Sequence, residues 1–250
     1  MKPTVRFVII TALRDRLFVS LYGLLAITFV IAIYLSGGAI AETDRMAVVY
    51  AAGGARVMLM MGFTVFVAFH LERLYETREL EALLSRAISR ETFIVAYWIG
   101  MAFNAALILL PVAAVIFFFQ LSMSGAVLWM GSVLLESLVV IAFAIFCGVS
   151  LERAIPTIFV TVGFYALARL IGFFVGITHG IVKSDVNQVA DPIMEYLSYL
   201  VPRLDLVGQT RWLVYGPDSL NIGGVIAAQL AVYVALLLAA AMFDLRKKHF

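Results

Sequence analysis

The stretch AVLWMGSVLLESLVVIAFAIFCGV, residues 126–149, contains twenty-four residues, and Glu136 is the only charged one among them. About twenty predominantly apolar residues in a helix cross the roughly 30 Å of hydrocarbon in a bilayer. A transmembrane strand would instead alternate polar and apolar residues over about ten positions. The stretch does not alternate, so it predicts a transmembrane helix.

Five further apolar runs of similar length lie on either side of this stretch. The chain of 250 residues is 64% hydrophobic and 14% charged, whereas a soluble domain is about half apolar and about a quarter charged. We therefore predict an all-α, polytopic membrane protein with six transmembrane helices in a single domain, residues 1–250. The predicted spans are about 17–35, 50–70, 93–119, 126–149, 157–181 and 222–242. Arg56 makes the start of the second span uncertain, and we expect it near the outer surface.

Basic residues set the predicted orientation, because loops on the cytoplasmic side carry an excess of Lys and Arg. Residues 1–16 have an apolar face and a charged face, which is typical of an amphipathic interfacial helix before the first span. With six spans, both termini share one side, and we expect that side to be cytoplasmic. It holds twelve of the eighteen Lys and Arg residues: Lys2, Arg6, Arg14, Arg16, Arg73, Arg78, Arg86, Arg90, Arg153, Arg246, Lys247 and Lys248. Residues 178–221 then form the largest segment on the outer, periplasmic side.

The loop predicted at 71–92 contains a dense charged segment with helical periodicity. Leu80, Leu83, Leu84, Ala87 and Ile88 form one apolar stripe, and charged residues lie off it. One interpretation is an interfacial helix that only joins two spans. The other is a helix that docks its stripe into a groove on a cytoplasmic partner. Acidic residues are as dense here as arginines, which disfavours an anionic membrane surface and favours docking.

Several activities lack support in the sequence. The sequence has no Gly-x-x-x-x-Gly-Lys-Ser/Thr loop, since none of its four lysines follows a glycine, and it therefore has no Walker nucleotide site of its own. There is no His-Glu-x-x-His and no Gly-x-Ser-x-Gly, and a net charge of +2 does not indicate a nucleic-acid partner. Met58, Met60 and Met61 suit packing better than copper binding, so we predict no metal site.

A family resemblance rests on the charged loop. ETRELEALLSRAISRETFIVAYWIG, residues 76–100, resembles the first cytoplasmic loop of type-2 ABC transporter permeases. The matching residues are Leu83, Leu84, Ser85, Ile88, Ser89 and Arg90, while Ala87 stands where the family usually has proline. TALRDRLF (11–18), LVPRLDL (200–206) and MFDLRKKHF (242–250) resemble other family segments in the same order, so the resemblance covers the whole chain. The subgroup it looks most like is the permease of copper-site maturation for nitrous oxide reductase.

The resemblance implies a permease subunit in a bacterial inner membrane, with a coupling helix between spans 2 and 3. A separate cytoplasmic ABC ATPase dimer would bind ATP and Mg, so the chain itself would be neither an enzyme nor a cofactor protein. A second permease subunit, identical or homologous, would complete the path for export or mechanical work, with membrane lipids around it. Leu80, Leu83, Leu84 and Ile88 would anchor the docking face. Glu79, Ser85, Ser89 and Arg90 would orient it.

Two charges are predicted to lie inside the membrane. Glu136 and Arg169 fall near the middle of the fourth and fifth spans, where a lone charge costs about 3 kcal/mol on insertion scales. Matching depth on consecutive spans predicts a buried ion pair.

Two other classes of function stay open from the sequence: a six-span channel or secondary transporter without an ATPase, and an intramembrane enzyme acting on lipid. The transported substrate cannot be read from these residues.

Overall fold

The computed structural model describes residues 2–38, 43–79, 89–119, 121–178, 201–217 and 221–248. These residues are almost entirely helical. The α-helices are α1 (Lys2–Arg14), α2 (Arg16–Ser36), α3 (Thr43–Glu76), α4 (Arg90–Phe119), α5 (Met123–Leu151), α6 (Ala154–Thr178), α7 (Arg211–Tyr215) and α8 (Asn221–Lys247), with a 3-10 turn at Leu204–Leu206.

Six of these helices, α2 to α6 and α8, are long and apolar enough to cross a membrane. The prediction of an all-helical, multi-pass membrane protein is therefore confirmed as far as the number, length and composition of these helices. Five of these six helices are longer than the predicted spans, most clearly α3, whose 34 residues reach about 50 Å. Hydropathy detects where an apolar run ends, whereas a helix continues through charged residues such as Glu72 and Arg73. Both ends of the predicted loop 71–92 therefore belong to helices, since α3 continues to Glu76 and α4 begins at Arg90.

Local capping explains several of the helix boundaries. Asp15 separates α1 from α2, and its Oδ1 accepts a hydrogen bond from the Leu17 N–H at 2.9 Å. Ser122 caps α5 by accepting from the Gly125 N–H at 3.3 Å. Glu152 ends α5 in the left-handed conformation (φ 57°), where its N–H donates to the Gly148 carbonyl at 3.1 Å.

Helix α5 is the centre of the bundle and packs against α3, α4, α6, α7 and α8. Two glycines leave room for leucine side chains of the neighbouring helix, and small residues are common at helix contacts in membranes. A Cβ on Gly62 of α3 would lie 2.4 Å from Leu21 Cδ1 of α2, and one on Gly148 of α5 would lie 2.6 Å from Leu71 Cδ1 of α3.

Helix α1 packs on the protein rather than standing apart from it. Thr4, Val8 and Ala12 are buried, and Val8 lies against Gly100 of α4, where a Cβ would be 2.8 Å from Val8 Cγ1. Phe7 and Leu13 remain exposed on the other side of the helix. One face of α1 is therefore covered by α4, and a second apolar face is left for the surroundings.

The candidate site: a buried ion cluster and a polar clasp

The predicted intramembrane charges lie together in the structure. Arg169 Nη1 of α6 is 3.7 Å from Glu136 Oε1 of α5, and the Glu136 side chain is 0% exposed. Tyr165, one turn before Arg169, lies beside the same carboxylate. Glu136 is fourteen residues beyond the Ser122 cap, which places it about 20 Å along α5.

A third charge, Arg56 of α3, belongs to the same cluster, contrary to the expectation that it lies near the surface. A Cβ on Gly208 would be 3.1 Å from Arg56 Nη1 and 3.2 Å from Glu136 Oε2, so one backbone position touches both side chains. Arg56 is thirteen residues into α3, or about 20 Å from its start. The sequence analysis missed it because it did not fix the start of the second span, and an arginine near the start of a span is expected to reach the surface.

Residues 201–210, which we call the inserted segment, run alongside this cluster. Arg169 Nη1 donates to the carbonyls of Leu204 and of Val207, the latter at 2.7 Å. Arg56 Nη1 donates to the Gly208 carbonyl, and the Gly208 N–H donates to Ser132 Oγ of α5 at 3.0 Å. Non-helical backbone between membrane helices is tolerated only where its polar groups are satisfied by protein or by water. Here Arg56 and Arg169 supply hydrogen-bond donors to three carbonyls of the inserted segment.

Glycine permits the close approach of the inserted segment. Gly208 has φ +63°, a left-handed conformation that favours glycine, and a side chain there would press on Arg56 and Glu136. A Cβ on Gly172 of α6 would lie 2.0 Å from Asp205 Oδ2. Asp205 is held in turn by Arg203, with nitrogen–oxygen distances of 3.0 and 2.9 Å. This hydrogen-bonded pairing raises the pKa of Arg203.

Helix α7 joins the inserted segment to the Ser122 end of α5. The Leu121 N–H donates to the Leu213 carbonyl at 3.3 Å. A Cβ on Gly125 would lie 1.7 Å from the Trp212 carbonyl oxygen, so only glycine fits at this contact. The segment is therefore attached at the end of the bundle and also about 20 Å along α5, at the ion cluster.

At the opposite end of the bundle, the last residues of α8 are tied to three other helices, an arrangement we call the clasp. Arg90 Nη1, at the start of α4, donates to the carbonyls of Leu245 (2.9 Å), Arg246 (3.1 Å) and Lys248 (2.7 Å). These are terminal carbonyls that lack partners within their own helix. Arg246 also pairs with Glu91.

Lys248 extends the clasp to the end of α5. Its ammonium group donates to the Val149 carbonyl and to Glu152, and it lies 5.2 Å from the ring centroid of Tyr75 of α3. Nearby, Glu72 Oε1 of α3 accepts from the Ala154 N–H at 2.9 Å, which caps the start of α6. The ends of α3, α5 and α8, and the starts of α4 and α6, are thus joined by polar contacts.

The predicted docking residues Leu80, Leu83, Leu84, Ser85 and Ile88 lie outside the described residues. Of the three that are described, Glu79 and Ser89 are exposed. Ser89 Oγ accepts from the Thr92 N–H at 3.2 Å and so caps α4. Arg90 is directed at the end of α8, a role that its position in the charged loop did not indicate.

Sequence reasoning also missed a buried polar link between α3 and α4. His70 Nδ1 and the Tyr97 hydroxyl are 2.6 Å apart, and the two rings stack with centroids 5.5 Å apart. A single histidine and a single tyrosine, 27 positions apart, carry no pattern that would have paired them.

Comparison with known proteins does not assign the chain to a family. No family model matches the chain, and no curated protein matches it.

Proposed function

We propose that this chain is the transmembrane permease subunit of an ABC transporter. A separate cytoplasmic ATPase dimer supplies the energy, and a second permease subunit completes the path for export or for mechanical work across a bacterial inner membrane. The observation that carries the proposal is the resemblance of residues 76–100 to the family's first cytoplasmic loop, in a chain without a Walker loop.

The geometry around that loop supports the proposal. The loop joins two helices long enough to span a membrane, α3 and α4. It begins and ends beside the clasp, since Tyr75 contacts Lys248 and Arg90 binds the end of α8. A force applied to the loop by an ATPase would therefore reach α3, α4 and α8 together.

The test is capture of the ATPase by the tagged, full-length chain solubilised from its native membrane. We expect a co-purifying subunit with a Walker motif, identified by mass spectrometry, and ATP hydrolysis in the eluate. Leu83→Asp places a charge on the apolar stripe and should lower capture at least tenfold, the order of effect of a buried anchor. Arg86→Asp is the matched control, because it introduces the same residue off the stripe and should retain most of the capture.

Thermal unfolding of both variants in detergent shows whether each is folded, so that a loss of capture can be attributed to docking. If the wild-type chain brings down no ATP-hydrolysing subunit, or if Leu83→Asp and Arg86→Asp behave alike, the proposal fails. A six-span channel or secondary transporter would then be tested by ion flux into proteoliposomes that contain the chain alone.

A further inference from the structure

Two exposed arginines flank the junction between α1 and α2. Arg14 is the last residue of α1, Arg16 is the first residue of α2, and both side chains are exposed. Neither arginine forms an ion pair with the part of the chain that the structure describes. Their Cα atoms are at most about 7 Å apart, because two residues of chain extend no further. Both guanidinium groups can therefore reach one small anion.

The charge at this junction is unbalanced. Asp15, between the two arginines, is the only acidic residue in positions 1–41. Its Oδ1 accepts the hydrogen bond from the Leu17 N–H that begins α2. The junction therefore carries net positive charge, in contrast to residues 71–92, where acidic residues are as dense as arginines.

The junction lies at the end of a helix that is long and apolar enough to span a membrane. Arg16 is the first residue of that helix, and basic side chains at the ends of spans reach the level of the lipid headgroups. A lipid whose headgroup meets Arg16 has its acyl chains directed along α2 toward the bilayer centre. The depth of the two arginines therefore fits a headgroup, and the direction of α2 fits its chains.

An exposed apolar stripe on α2 continues from Arg16 into the bilayer. Val19, Gly23 and Ile27 follow it at intervals of three and four residues, which places them on one side of the helix. Val19 is 63% and Ile27 is 56% exposed. Gly23 is also exposed, and nothing lies within 4 Å of a Cβ built there. The stripe therefore has a recess at Gly23, about 10 Å along the helix from Arg16.

We propose that Arg14 and Arg16 bind the phosphate of an anionic phospholipid, one of whose acyl chains lies in the recess at Gly23. Both guanidinium groups donate charge-assisted hydrogen bonds to the phosphate oxygens, and the net negative headgroup offsets the positive charge of the junction. The site requires α2 to cross the membrane, and it does not depend on the ATPase proposal.

The test uses the full-length chain in neutral detergent with equal amounts of phosphatidylglycerol and phosphatidylcholine, and native mass spectrometry measures the lipid that each chain retains. The wild-type chain should prefer phosphatidylglycerol by about 25-fold, since each basic residue at an anionic lipid surface contributes about fivefold. Arg14→Gln and Arg16→Gln should each lower the preference about fivefold, and the double variant should abolish it.

The matched control is Arg78→Gln with Arg153→Gln, which removes the same charge from two other exposed positions. This pair should keep the wild-type preference. Because Arg14 and Arg16 are exposed and have no ion pair among the described residues, the thermal midpoint of their double variant in lipid-free detergent should equal that of the wild type. If the wild-type chain shows no preference, or if the double variant and the control pair retain the same preference, the site is not at this junction.

A separate variant tests the recess. Gly23→Phe fills it without a clash and should lower the amount of phosphatidylglycerol retained per chain severalfold. Gly163→Phe is the control, because Gly163 is an exposed glycine of α6 that also has nothing within 4 Å of a Cβ, and it should retain the wild-type amount. If both variants retain the wild-type amount, no acyl chain is bound at Gly23 and that part of the proposal is wrong.

Inorganic phosphate distinguishes a phospholipid from a soluble anion. Phosphate added to the wild-type chain at the concentration of the lipid should leave the retained phosphatidylglycerol unchanged, because it has no acyl chain to bind along α2. If it displaces the lipid, the two arginines take a free phosphate, and a phospholipid is excluded as their specific ligand.

Discussion

The ion cluster and the clasp use the same residue types in opposite surroundings. In the cluster, Glu136 is 0% exposed and lies 3.7 Å from Arg169, with Arg56 and Gly208 of the inserted segment close by. In the clasp, Arg246 and Glu91 are 63% and 47% exposed. A charge that has left water depends on its partners, because removing one leaves the other buried and uncompensated. A charge that stays in water gains little from its pair. The two regions should therefore respond very differently to the same kind of substitution.

The largest effect is expected for Glu136→Gln. It leaves Arg56 and Arg169 facing each other without a counter-charge, which should cost about 3–5 kcal/mol and reduce the folded yield in membranes. Arg169→Gln should also impair assembly, and the charge swap Glu136→Arg with Arg169→Glu should partly restore it. Yield and thermal midpoint in detergent measure both effects. Equal yields for the single variants and the swap would argue against a paired cluster.

The second-largest effect is expected for Gly208→Ala. The added Cβ would occupy a left-handed position about 3 Å from Arg56 and Glu136, and the backbone conformation alone costs about 1–2 kcal/mol. The thermal midpoint should fall. Gly131→Ala is the control, since nothing lies within 4 Å of a Cβ at that position in α5, and its midpoint should stay the same or rise. If both variants match the wild type, the inserted segment does not need this fit.

Arg90→Ala tests the clasp at its most connected residue. Removing three hydrogen bonds to the end of α8 should cost about 1–2 kcal/mol and increase amide hydrogen exchange in residues 243–248, which fray when their carbonyls lose their partners. Capture of the ATPase should be nearly unchanged, in contrast to Leu83→Asp. Loss of capture with unchanged exchange would instead assign Arg90 to the partner, as the family resemblance implies.

The smallest effect is expected for Arg246→Ala. The exposed pair with Glu91 should contribute about 0–1 kcal/mol, and this contribution should shrink further in high salt because exposed charges are screened. Measuring Arg246→Ala and Glu136→Gln at low and high salt separates the two regions. A salt dependence as large for Glu136→Gln as for Arg246→Ala would mean that the cluster is open to water.

The sequence predicted the features that depend on local composition. Apolar runs of about twenty residues predicted the six helices that are long enough to span a membrane. Glu136 and Arg169 lie at matching depth in two consecutive runs, and this predicted their pairing. It did not identify Arg56 as a third member, because the start of the second span was uncertain and Arg56 was expected near the outer surface. It also did not indicate that Arg90 caps α8, since the two residues are 155 positions away from each other at the first contact.

Number, approximate length and order of the spanning helices are determined by the sequence alone, because the apolar length needed to cross a bilayer is a property of each segment. The partners of the polar groups were decided only by the tertiary structure. Whether Arg56 reaches Gly208, or Arg90 reaches Leu245, depends on how the helices pack and on glycines such as Gly125, which lies against the backbone of Trp212. Those contacts join residues far apart in the chain, and only packing makes them neighbours.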